Sequence, residues 1–213
     1  MPNHIISEVE ISGTKEQIDE LVKETKLKRD CDAEENQFDF NGIIPMPESL
    51  NIESGSSASL GLMAYSQEYY DKDVRTGTSW WKKDRPGVRD AATLKLDLQD
   101  SGEEEDKKAL KLGKVAFDNI QKYGHADWYG WSIAKWGTKW NAYDVRYIDG
   151  DDTKIVIEIQ TAWDTPEGIW SALIEQGFEV KGVMHGEMDG YQYIGNGDEV
   201  FDVYQNIEVE YRG

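Results

Sequence analysis

Lys154–Val180 reads KIVIEIQTAWDTPEGIWSALIEQGFEV, and the fold class follows from how it is parsed. Ile155, Ile157 and Ile159 alternate with Glu158 and Gln160, the two-residue period of a half-buried strand. Thr165 and Pro166 open a helix whose apolar stripe is Ile169, Trp170, Leu173 and Ile174. Pro at a first helical position gives up only an N–H that had no partner there. Gly177 ends that helix, and Phe178–Met188 is expected to be the next strand.

Upstream, Lys139–Ile148 is expected to be a strand, joined to Lys154–Ala162 through the hairpin turn Asp149-Gly150-Asp151-Asp152. At the N-terminal end, Ile5, Ser7, Val9 and Ile11 form one largely apolar face of a strand over His4–Ile11. Thr14 and Gln17 then make a capping box. Ile18, Leu21 and Val22 place a helix from Lys15 to about Thr25. With the stretch between about Gly42 and Thr138 set aside, the order is βαββαβ, the ferredoxin-like pattern. The expected fold is therefore α+β. One ferredoxin-like domain spans residues 1–213, with a long Trp-rich, partly helical insertion at about 43–138. A C-terminal β extension at about 189–213 is expected as a hairpin or meander, with turn pairs Asp189-Gly190 and Asn196-Gly197 and strands Tyr191–Ile194 and Val200–Tyr211.

Leading into the insertion, Gln37–Ile44 alternates Phe38 and Phe40 with polar residues and is expected to be a short strand stopped at Pro45 and Pro47. The Ser-rich Asn51–Ser59 reads as a loop, and Asp97–Asp106 as an acidic turn. Leu112, Val115, Ala116, Ile120 and Tyr123 share one helix face, giving a helix over Glu103–Tyr123 with Ser101 as N-cap and Gly124 as its end.

The chain has 213 residues, 42 acidic and 23 basic, for a net charge of −19. That balance disfavours binding polymeric nucleic acid through phosphates, which needs a dense basic surface. It favours solubility and cationic partners instead. No apolar run approaches the about 18–20 residues of a spanning helix, so no membrane contact is expected. The single Cys31 permits no internal disulfide, and no signal peptide is read at the start, so the cytoplasm is the expected compartment. Walker-type, HExxH, GxSxG and GxGxxG motifs are absent, and no cofactor or metal is expected. His185, Glu187 and Asp189 share a face only if their strand stays regular, and are not taken as a metal site.

Eight Trp in so polar a chain are conspicuous, and four of them, Trp128, Trp131, Trp136 and Trp140, fall in Tyr123–Val145, YGHADWYGWSIAKWGTKWNAYDV. Together with FDFNGIIPMPESL (Phe38–Leu50) and TAWDTPEGIWSAL (Thr161–Leu173), this stretch resembles a family of ferredoxin-like-domain proteins of unknown function carried by phages, plasmids and genomic islands. The string WGTKW, Trp136–Trp140, is the most specific part. The chain departs from the family pattern at Asp164–Glu167, where a second proline is usual, and at Trp80-Trp81. The resemblance implies a fold and a mobile-element context in a bacterial host cell, without a mechanism.

The candidate ligand face is Trp128, Lys135, Trp136, Gly137, Thr138, Lys139, Trp140, Tyr143 and Trp163. Aromatics would stack a planar group, while lysines and backbone amides meet an anion. The competing reading of the same Trp residues is a structural core. Trp80, Trp81 and Lys82 form a second candidate. Asp71–Asp90 around them holds six of the chain's basic residues: Lys72, Arg75, Lys82, Lys83, Arg85 and Arg89. His125 and Asp127 are candidates for an acid–base pair, against the reading of His125 as a structural, hydrogen-bonded histidine.

Three functions are expected from this. The first is a non-enzymatic, anti-defence binding protein holding a small anionic or nucleotide-like ligand, or a host protein. The second is an acidic, DNA-mimic-like decoy for a basic host protein. The third is a motif-poor nucleotide hydrolase or transferase. A homo-oligomer is left open.

Overall fold

The computed structural model describes residues 3–77, 80–186 and 191–194. In chain order its elements are β1 (His4–Ser12), α1 (Lys15–Glu24), α2 (Ser56–Tyr65), α3 (Gln67–Thr76), α4 (Ala91–Asp100), α5 (Glu104–Tyr123), α6 (Trp128–Trp136), β2 (Tyr143–Gly150), β3 (Lys154–Ala162), α7 (Glu167–Glu175), β4 (Glu179–Gly186) and β5 (Tyr191–Ile194). The fold is α+β. The chain divides into two compact units, Met1–Pro45 with Ser132–Gly213, and Met46–Trp131.

In the first unit the described strands form one sheet in the order β2-β3-β1-β4-β5, each neighbouring pair antiparallel. The register sets Val9 opposite Ile157 and Ile11 opposite Ile155 and Val180, so the buried faces of three strands coincide. Ile18 and Leu21 of α1 and Ile169, Trp170 and Leu173 of α7 are buried with them. Thr14 caps α1 through the expected capping box with Gln17. β3 runs over Lys154–Ala162 as its alternation demanded.

Gln37–Ile44 is not a strand. Its alternation does bury Phe38 and Phe40, but Phe40–Gly42 is a 3-10 turn. The Asp39 carboxylate accepts from the Asn41 N–H, and Asn141 Oδ1 accepts from the Phe40 N–H (2.9 Å). The first is a local Asx hydrogen bond and the second comes from a distant side chain, and both take backbone N–H groups that a ladder would need. Nor is Pro166 inside α7: it occupies the N-cap, while Thr165 Oγ1 accepts from Trp170 Nε1 at 3.3 Å.

Asp39 ties this turn to the segment before β2. Burial works to raise its pKa. Hydrogen bonds from Lys26 Nζ, Asn41 and Asn141 Nδ2 outweigh that and hold it at about 2, below the ordinary carboxylate value. A depressed carboxylate stabilises the fold above its unfolded pKa of about 4 and loses that contribution as pH falls toward 2. Urea midpoints of wild type and Asp39→Asn should therefore differ at pH 5 and converge by pH 2. A constant difference across that window would contradict this assignment.

The second unit is helical. Leu60, Met63, Ala64, Tyr70, Leu94, Leu98 and Ala109 pack in one cluster with Trp81. Gly61 and Gly113 let α2 and α5 touch backbone to backbone: a Cβ on Gly113 would stand 2.0 Å from the Gly61 carbonyl carbon. The Ser-rich loop expected over Asn51–Ser59 gives way at Ser56 to α2, because the LGLMA run that follows is buried nearly all round. The acidic turn expected over Asp97–Asp106 is mostly helix, interrupted between Asp100 and Glu104, and Glu103 rather than Ser101 is the N-cap of α5. Gly124 does end α5, in the left-handed conformation.

β5 lies at Tyr191–Ile194, where a strand was expected. The turn pairs at 189–190 and 196–197 and the strand expected over 200–211 lie outside the described residues. Among the described residues, no helix is long and apolar enough to cross a membrane.

Candidate functional site

The residues that gather at one end of the first unit's sheet come from three strand ends. His4 begins β1, Tyr143 begins β2, and Trp163 follows the last residue of β3. The segment Gly137–Asn141 runs beside them. Thr138 Oγ1 donates to Ala162 O (2.8 Å), and Ser132 Oγ donates to Lys139 O (2.8 Å). Asn141 then fastens the segment's end to Asp39 and Phe40. Gly137 has φ +89, and a Cβ there would lie 2.9 Å from both Glu167 N and Thr165 O, so the turn into this segment requires glycine.

These anchors leave two indoles on the surface. Trp140 is 40% exposed and Trp163 44%. The Lys139 ammonium lies over both, 4.7 Å from the Trp140 ring centre and 4.4 Å from that of Trp163. Tyr143 meets Trp140 edge-on at 6.5 Å and His4 edge-on at 5.8 Å. Its Oη donates to Thr161 O (3.0 Å) and lies 2.7 Å from His4 Nδ1. The phenol has one proton, so with Thr161 as its acceptor, His4 Nδ1 is the donor of the second bond. The row Trp163–Lys139–Trp140–Tyr143–His4 is thus continuous.

Trp163 sits at φ +77, and its N–H donates to Asn3 O at 2.8 Å. A bulky residue in the left-handed region costs on the order of 1–3 kcal/mol, and such strain clusters at functional sites. Asp144, beside Tyr143, is also left-handed (φ +47), where the β2–β3 register shifts.

The other residues singled out in the sequence fall elsewhere. Trp136 is buried, edge-on to Phe40, with Nε1 donating to Ile44 O at 3.0 Å. Thr138 is buried and bonded to Ala162. Both are core, because each spends its polar atom on the unit's own backbone. Lys135 is exposed at the end of α6. Trp128 belongs to the second unit, where it packs edge-on against Tyr129.

Trp81 is 1% exposed and donates through Nε1 to Asp73 (3.0 Å), and Lys82 lies 5.9 Å from the Tyr70 ring centre. Arg85 is paired with Asp97 and Asp106. The basic island around Trp80-Trp81 is therefore partly internal scaffold of the second unit, since Trp81 and Arg85 are committed to partners there.

Asp127 Oδ1 accepts from the Tyr129 and Gly130 N–H groups at the start of α6 (3.0 and 3.4 Å), a capping role. Among the described residues His125 makes no hydrogen bond to Asp127. His185 lies on β4 opposite Ile6, and Glu187 and Asp189 lie outside the described residues. Among the described residues, no group of three His, Cys, Asp or Glu side chains is placed to hold a metal ion.

His4, Asn141 and Asp39 did not stand out in the sequence. His4 lacks any neighbouring motif, and its proximity to Tyr143 arises only from the β1–β3–β2 pairing.

No family model matches the chain, and no curated protein matches it. Among solved structures, the chain is similar to the protein api92 from Yersinia pseudotuberculosis, of the family DUF1281, at 10% identity and a TM-score of 0.38, over 94% of this chain and 96% of that one.

Proposed function

We propose that this chain is a non-enzymatic binding protein that holds a small, planar, nucleotide-like anion against Trp140 and Trp163, with Lys139 meeting the charge. The observation that carries the reading is a pair of exposed indoles flanking one ammonium, one of them held in a strained backbone conformation. Aromatic faces bind bases by stacking at about 1–3 kcal/mol per base, and a lysine supplies the ionic contact. We read the sheet frame as ferredoxin-like. Support for that comes from the strand order β2-β3-β1-β4, with one helix after β1 and one after β3. On the resemblance of the WGTKW, IIPMP and TAW segments, we place the protein on a phage, plasmid or genomic island. There it would act in the bacterial cytoplasm by sequestering a nucleotide-like signal of host defence.

The acidic-decoy reading is favoured by the net charge of −19 alone. It requires salt-sensitive capture of a basic protein that is indifferent to Trp140 and Trp163. The enzymatic reading requires turnover.

One experiment separates the three. The protein is incubated with a nucleotide panel, desalted and denatured, and the released small molecules are identified by mass spectrometry. Unchanged nucleotide released in stoichiometric amount is the expected result. A converted nucleotide would establish an enzyme. The absence of any bound nucleotide would remove the sequestration reading.

A further inference from the structure

Resting on that reading, we infer that Lys139 is a selectivity gate: its ammonium occupies the place a stacked ring must take, and only a ligand carrying both a ring and an anion displaces it without loss. The two indole centres lie at most the sum of their distances to Nζ apart, about 9 Å. A ring in contact with both needs roughly 7 Å between them, twice an ordinary carbon–carbon contact. The ammonium stands over each ring centre at 4.4–4.7 Å, so a planar ligand that stacks on the covered face of either indole enters where the ammonium lies.

Displacement forfeits two cation–π contacts. The lysine is a compact charge on a flexible four-carbon stem, so it can leave the slot while staying beside it. The backbone at Lys139 does not have to follow, because Ser132 Oγ holds its carbonyl and Ala162 O accepts from its N–H (3.4 Å). An uncharged nucleoside pays for the displacement and recovers nothing. A nucleoside monophosphate offers the displaced ammonium a charge-assisted hydrogen bond. The gate thus discriminates by charge at a site whose contact surface is aromatic.

The test measures dissociation constants by calorimetry for the common nucleosides and their 5′-monophosphates, on wild type and Lys139→Ala. Lys139→Gln, which keeps most of the stem, serves as a second variant should the alanine protein fold poorly. Removing the ammonium should tighten nucleoside binding roughly 5- to 30-fold, the equivalent of two exposed cation–π contacts. It should also cut the monophosphate's advantage over its nucleoside roughly 10- to 150-fold, the equivalent of one charge-assisted hydrogen bond.

If monophosphates bind wild type but nucleoside affinity is unchanged or weaker in both variants, the gate is overturned and the binding reading stands. If no monophosphate binds wild type, the binding reading falls and the gate with it.

Discussion

Replacing Arg85 with Met should destabilise the helical unit by about 3 kcal/mol, and adding Asp106→Leu should restore most of that loss. The Asp106 side chain is 9% exposed and accepts from Arg85 Nη2 through both oxygens, at 2.6 and 2.7 Å. Removing one partner of a buried pair typically costs about 3–5 kcal/mol, because the remaining charge is left without compensation. Two features set the value at the lower end. Asp106 lies in the first turn of α5, where the helix dipole favours a carboxylate. Asp97, the other partner of Arg85, is 40% exposed and can be solvated when the pair is lost.

Replacing both buried members by apolar groups removes the uncompensated charge, which is why the double variant recovers. Urea unfolding followed by amide hydrogen exchange in α4 and α5 reads this unit by itself. A loss below about 1 kcal/mol would mean that the pair behaves as a surface contact.

The parts of this molecule that could be read from the sequence are those where local pattern and tertiary burial agree. Ile155, Ile157 and Ile159 are fully buried and alternate on β3, a strand paired on both sides, so the period and the environment say the same thing. The Thr14–Gln17 capping box and the Gly124 stop are local hydrogen-bond and φ requirements that need no partner at a distance.

Misreadings arose where a local pattern has two structural solutions. The alternation of Phe38 and Phe40 buries two rings equally well in a strand or in a turn, and Asn141, a hundred residues away, supplies the bond that accompanies the turn. The serines before α2 resemble a linker until the apolar run behind them is seen to pack against Gly113. Adjacent Trp80 and Trp81 in a non-periodic stretch fit a ligand contact or burial equally well, and it is Asp73, accepting the Trp81 N–H, and the Tyr70 ring 5.6 Å away that accompany burial of Trp81.

At the candidate site, Lys139, Trp140, Tyr143 and Trp163 could be named from composition. That Trp136 turns inward while Trp140 turns outward could not, since it depends on the left-handed turn at Gly137 and on the Ile44 carbonyl that receives the Trp136 N–H.

The largest effect on binding is expected from the two exposed indoles. Trp140→Ala and Trp163→Gly should each weaken a bound nucleoside monophosphate by about 5- to 150-fold, the range of about 1–3 kcal/mol per stacked base. Glycine is the substitute at 163 because it accepts φ +77 without the strain an alanine would keep. Both side chains are substantially exposed, so neither change opens a cavity.

The central claim, that these two indoles form the ligand face, is tested most directly by titrating nucleoside monophosphates into the ¹⁵N-labelled protein and following the indole N–H signals. The resonances of Trp140 and Trp163 are assigned by their disappearance in the two variants. These two signals should move with a common saturation curve, while those of the buried Trp81, Trp136 and Trp170 stay in place. Saturable shifts at other indoles with Trp140 and Trp163 unmoved would contradict it.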